Sequence, residues 1–110
     1  MKVCFFISGN IESQFNMERL SKEQQDDIYK IENSIIKKVN NKIFDIPYLP
    51  TKEMKINLIA FRNIFKFNAK ELDFLEDNQY FLIGSIFMEL EHLELLILSE
   101  YEYEFQNDVK

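Results

Sequence analysis

From Ser99 to Phe105 the chain alternates without a break, Tyr101, Tyr103 and Phe105 falling in one phase and Glu100, Glu102 and Glu104 in the other. A period of two belongs to a half-buried strand, so the segment predicts one face of aromatic rings and one of carboxylates. The whole stretch from Gln79 to Phe105 obeys the same constraint. On a helix the six glutamates between Glu89 and Glu104 would scatter round the circumference and leave no apolar stripe. On strands they segregate: Glu89 and Glu91 share one phase, and Glu94, Glu100, Glu102 and Glu104 share the other. Two strands joined by a turn near Glu91 and His92 give that pattern, and so does one long bulged strand. The inward residues would be Tyr80, Leu82, Ile86, Met88 and Leu90, then Leu93, Leu95, Ile97, Tyr101 and Tyr103, with Gly84 available for a bulge or a close approach. Leu96 and Leu98 share the glutamate phase and call for a cover on that face, expected from a helix.

Charge is divided as sharply as hydropathy. Residues 1 to 70 carry twelve bases against eight acids, whereas 71 to 109 carry eleven acids and no lysine or arginine. A surface built only for solubility mixes signs. The acidic half would be repelled by nucleic acid and by an anionic membrane, which excludes both as its partners and favours a basic protein. Glu100, Glu102 and Glu104 would stand about 6.6–6.8 Å apart along one strand face. The candidate partner-binding residues are therefore Glu94, Glu100, Tyr101, Glu102, Tyr103, Glu104, Phe105 and Asp108. The competing reading makes the same acids a solvated face that keeps an apolar edge from pairing with other chains.

The rest of the chain supplies a scaffold. Val3 to Ile7 is a continuous apolar run ended by Ser8, Gly9 and Asn10, a buried strand closing in a turn. Between Ser21 and Asn40, the spacing of Ile28, Ile31, Ile35 and Val39 is that of an amphipathic helix, opened by a Ser21/Gln24 capping box. Early acids (Glu23, Asp26, Asp27) and late bases (Lys37, Lys38, Lys42) complement its dipole. Glu32 lies on the margin of the apolar stripe, where reaching to solvent is the expected outcome and a general acid the alternative. Pro47 and Pro50 mark a connection. Residues 51–67 fit two templates, a strand or hairpin turning at Arg62-Asn63, which is preferred, and a helix capped by Thr51 with Met54, Leu58, Phe61 and Phe65 on one face. Asn68 followed by Glu71 starts a short helix with Leu72 and Leu75 on its apolar edge. At 110 residues and 46% hydrophobic content this is a single domain (1–110). The expected class is α+β, an antiparallel or mixed sheet of four to five strands with one long amphipathic helix and one short helix.

Chemistry is conspicuous by its sparsity. Cys4 is the only cysteine and His92 the only histidine. Disulfide frameworks, cysteine zinc sites and paired-histidine catalysis are thereby excluded. Cys4 reads as a small buried hydrophobe. No phosphate-binding or dinucleotide fingerprint and no nucleophile elbow occurs. Neither an enzyme activity nor a cofactor or metal is expected. The apolar start is too short for a secretory signal, so a cytoplasmic location is expected.

In size, acidity, lack of catalytic motifs and richness in Ile, Asn, Lys and Phe, the chain resembles the small immunity proteins of bacterial contact-dependent inhibition and polymorphic toxin systems. The resemblance is one of general character over the whole chain and assigns no residue. It implies an inhibitor that neutralises a basic partner such as a nuclease toxin domain, with the acidic C-terminal face as its binding surface. A structural or assembly subunit, using an exposed strand for homo- or hetero-oligomerisation, is the alternative from a different class.

Overall fold

A computed structural model describes residues 1–7, 20–40, 42–77 and 80–99. Its elements are β1 (Lys2–Phe6), α1 (Lys22–Asn40), β2 (Ile43–Asp45), β3 (Lys55–Asn57), a 3₁₀ turn (Leu58–Phe61), α2 (Arg62–Phe65), α3 (Ala69–Asp77), β4 (Tyr80–Met88) and β5 (Leu93–Ser99). The five strands form one sheet in the order β2-β1-β5-β4-β3. β1 and β5 run parallel and the other neighbours antiparallel, so the sheet is mixed and the class α+β.

The long helix forms as its pattern requires. Ser21 Oγ accepts the Gln24 N–H at 3.1 Å and Gln24 Oε1 accepts the Ser21 N–H at 3.0 Å, closing the capping box. Ile35 and Val39 are buried against the sheet, with Ile28 and Ile31 partly buried beside them. Glu32 departs from the expectation that it reaches solvent, because it is only 3% exposed. It sits four residues after Ile28 and three before Ile35, so the helix turn carries it into the buried stripe. At the far end, Asn40 presents Oδ1 to the Ile7 N–H (2.8 Å) and Nδ2 to the Ile7 carbonyl (3.1 Å), so one side-chain amide stands in for a neighbouring strand where β1 ends.

Residues 51–67 settle between their two templates. β3 is a strand of three residues, after which Asn57 Oδ1 accepts the Ile59 N–H at 3.0 Å and starts the 3₁₀ turn that leads into α2. No hairpin turns at Arg62-Asn63; both residues are helical. A local side-chain cap thus ends the strand. The segment buries Leu58, Phe65 and Phe67 in the core, where Phe5 and Phe44 meet edge to face at 5.1 Å between ring centroids.

The core lies on the face of the sheet that carries Val3, Phe5, Phe81, Ile83, Leu95 and Ile97, the same cluster that receives Ile35, Val39, Phe74 and Leu75 from the helices. Here the expected phase of β4 is corrected. Phe81 and Ile83 point into the core, whereas Tyr80 and Leu82 take the opposite face. The cause is a bulge: Ile83 pairs with Ile97 but Ser85 pairs with Leu96, so Gly84 has no counterpart on β5. One extra residue exchanges the faces, and Ile86 and Met88 beyond it do share the side of Leu95 and Leu93. Leu98 is buried on the other face, away from the helices' core residues, with Leu82 as its cross-strand partner.

Candidate functional site

The antiparallel hairpin of β4 and β5 holds much of the described part of the acidic half. Residues 89–92 join the strands, with the Glu89 N–H donating to the His92 carbonyl at 2.9 Å. This is the turn expected near Glu91 and His92. Gly84 is also a point of close approach, since a Cβ added there would lie 3.1 Å from Leu98 Cδ1.

Toward its tip the hairpin leaves the core. Phe87 is 51%, Met88 88% and Leu90 99% exposed, which corrects the inward orientation expected of Met88 and Leu90. The sheet phase of Met88 is inward, but the core no longer extends beneath it; Leu90 lies in the turn, outside any strand. Glu89 and Glu91 are exposed between and beyond these side chains, and Glu94, half-buried, pairs with Phe87 across the strands. Three apolar side chains thus stand among three carboxylates on a short stretch of sequence that contains no lysine or arginine.

Of the predicted binding residues, Glu94 lies on this hairpin, facing away from the helical core. Its parallel neighbour on β1 is Cys4. Burial and then the nearby Glu94 carboxylate push the Cys4 thiol up from its ordinary range, as expected of an unreactive cysteine. Cys4 Sγ lies 3.4 Å from the Asn40 carbonyl oxygen. Glu100, Tyr101, Glu102, Tyr103, Glu104, Phe105 and Asp108 lie outside the described residues, as does the alternation beyond Ser99. Sequence reasoning missed Met88 and Leu90 as surface residues and did not single out Phe87. The available signal was their position beside the turn, where a strand runs past its core.

A second feature is the edge of β4. On one side β4 pairs with β5 along most of its length; on the other, β3 accompanies only Tyr80 to Leu82. Glu53 and Met54 add one further residue, the Glu53 N–H donating to Ile83 O at 2.8 Å and the Ile83 N–H to Met54 O at 3.1 Å. Glu53 has φ 72°, and there the chain turns away. From Gly84 to Met88 this side of β4 has no strand neighbour among the described residues.

A cavity of about 360 Å³ opens between the proline-marked connection and the sheet, with Phe5, Ile46, Pro50, Phe61, Ile83 and Leu95 in its lining. Its lining is mostly apolar, with Tyr48, Lys55 and Asn57 as the polar side chains. Glu71 is a strongly held carboxylate, 1% exposed at the start of α3, and it serves helix packing. Its Oε1 accepts the Asn68 N–H at 2.8 Å, and Asn68 Oδ1 accepts the Glu71 N–H at 2.9 Å, a reciprocal helix cap. Among the described residues no three His, Cys, Asp or Glu side chains gather as a metal site, and no helix is long and apolar enough to cross a membrane. No protein-family model, curated protein or solved structure matches the chain.

Proposed function

We propose that this chain is a protein-binding inhibitor of the immunity type, acting in the bacterial cytoplasm, which neutralises a basic partner through its acidic C-terminal half. A nuclease toxin domain is the leading candidate for that partner, since a surface built to hold a polyanion is basic and is matched by clustered carboxylates. The observation that carries the reading is the hairpin tip: Phe87, Met88 and Leu90 exposed among Glu89, Glu91 and Glu94. Buried apolar anchors act on dissociation, and complementary charges around them speed encounter. Glu100, Tyr101, Glu102, Tyr103, Glu104, Phe105 and Asp108 extend the same composition on sequence grounds.

The test is affinity capture from the native cell at low and at high salt, with wild-type protein and with Glu89, Glu91 and Glu94 changed together to Gln. A basic protein held at low salt by the wild type, released by salt and lost with the triple variant, supports the inhibitor. The assembly reading is favoured by the bare edge of β4. It expects capture of the chain's own copy or of an apolar partner, indifferent to salt and to the three substitutions.

A further inference from the structure

If the inhibitor reading holds, the bare edge of β4 bears on how the partner is gripped, and its role depends on that reading. Gly84 to Met88 span about 16 Å of extended chain. Along that length one row of main-chain N–H and C=O groups has no strand beside it among the described residues. Sheet edges in natural proteins are guarded by lysine, proline, inward charges, bulges, shortness or a covering element. Of these β4 itself has only the bulge: Tyr80 to Met88 contains no charged residue and no proline, and at nine residues it is the longest of the described strands. The Gly84 bulge adds local twist but leaves Ser85 to Met88 in regular register with β5. The charges stand at the ends of the row, mixed in sign at Lys52, Glu53 and Lys55 where β4 loses its neighbour and purely acidic at Glu89 and Glu91 past Met88.

We propose that the edge from Gly84 to Met88 is a strand-addition site for an extended basic segment of the partner protein. The segment's main chain pairs with β4, and a lysine or arginine at its end meets Glu89 and Glu91. The occupied end of the edge and the charge pattern decide between occupants. Two copies of this chain paired antiparallel about Ile86 would place Glu89 of each against Ile83 of the other, where Glu53 already lies. The main chain of Glu53 and Met54 fills that place through its hydrogen bonds with Ile83, which confines a second copy to Gly84–Met88 and sets its acidic turn against an occupied edge. A basic segment of another protein meets attraction at Glu89 and Glu91, and main-chain pairing requires of it only an extended conformation.

The experiment titrates isotope-labelled full-length protein with a short synthetic peptide alternating lysine and valine, and follows amide shifts and hydrogen exchange. Exchange of the edge amides within 84–88 is expected to slow roughly tenfold at saturation. A peptide with alternate main-chain nitrogens methylated, and one with glutamate in place of lysine, are expected not to bind. Changing Glu89 and Glu91 together to Gln is expected to weaken the lysine peptide roughly fivefold, because exposed ion pairs are individually weak. Equal binding by the methylated peptide would overturn strand addition while leaving charge-led inhibition standing. Edge protection that rises with the protein's own concentration, and not with peptide, would overturn it in favour of self-pairing. Failure of the native-cell capture to return any basic protein would remove the inhibitor reading itself.

Discussion

Lys38 Nζ, on the last turn of α1, donates to Glu71 Oε1 on the first turn of α3 and also to the Lys66 carbonyl oxygen at 3.2 Å, so one ammonium ties the long helix to both shorter ones. Ser34 Oγ donates to the other Glu71 oxygen at 2.6 Å. Burial alone would raise the Glu71 pKa, but the hydrogen bonds from Lys38, Ser34 and the Asn68 amide, with the Lys38 charge, outweigh it and hold the carboxyl below its usual range. A carboxylate depressed in the folded state contributes stability fully present above its unfolded pKa of about 4.3 and lost as pH falls through the lower folded value. Glu71→Gln is therefore expected to lower stability at pH 7 by about 2 kcal/mol and to flatten the loss on acidification below pH ~4. Urea unfolding of both proteins across that pH range measures it, and parallel pH profiles would contradict it.

Lys66 offers the opposite case, a residue whose replacement should stabilise. It caps α2 in the left-handed region at φ 59°, ψ 50°, with its N–H donating to the Arg62 carbonyl at 2.8 Å. An L side chain is disfavoured there and glycine is not. Its contact with Lys38 runs through the main-chain oxygen, which glycine keeps. Lys66→Gly is expected to raise the thermal midpoint by an amount equivalent to up to about 1 kcal/mol. Calorimetry checks the sign.

At Gly84 the added Cβ, 3.1 Å from Leu98 Cδ1, demands that a buried leucine shift by a few tenths of an ångström. Gly84→Val adds two methyl groups beyond that Cβ and is expected to cost about 1–3 kcal/mol through overpacking. Gly84→Ala should cost less, because Leu98 can move by a rotamer adjustment. If the two variants unfold at the same denaturant midpoint, the close approach is not what selects glycine there.

How much of this is legible in the sequence depends on whether a local pattern meets a local cause. The Ser21 and Asn68 caps, the stripe Ile28–Ile31–Ile35–Val39 and the turn near Glu91 are readable because periodicity and capping act within a few residues. The phase of β4 is not. Tyr80, Leu82, Ile86 and Met88 lie in one phase by count, and only the pairing with β5 reveals that Gly84 interrupts it. Glycine signals a bulge without saying that the faces exchange. Glu32 is half legible: periodicity sets it on the margin of the apolar stripe, but hydropathy assigns a carboxylate to solvent and packing shows it buried. The candidate site is legible as charge: the absence of lysine and arginine from 71 to 109 points to this half of the chain. That Phe87, Met88 and Leu90 are exposed depends on where the core ends, and core extent is a tertiary property.

The hairpin tip yields a separation of stability from binding. Met88 and Leu90 contribute almost no buried surface within the chain, at 88% and 99% exposed. Met88→Ser and Leu90→Ser together are expected to change stability by less than about 0.5 kcal/mol per site. Phe5→Ala, by contrast, empties a position at 2% exposure that contacts Phe44, Phe61 and Phe65, and should cost about 3–5 kcal/mol. If the tip anchors a partner, the double serine variant keeps the wild-type melting curve yet releases the captured protein faster, by roughly tenfold or more, since anchors act chiefly on dissociation. The triple Gln variant at Glu89, Glu91 and Glu94 should instead slow association, with an effect that shrinks as salt rises. Surface-bound kinetics with the captured partner separates the two. Unchanged dissociation from the serine variant would assign the anchoring to residues beyond Ser99.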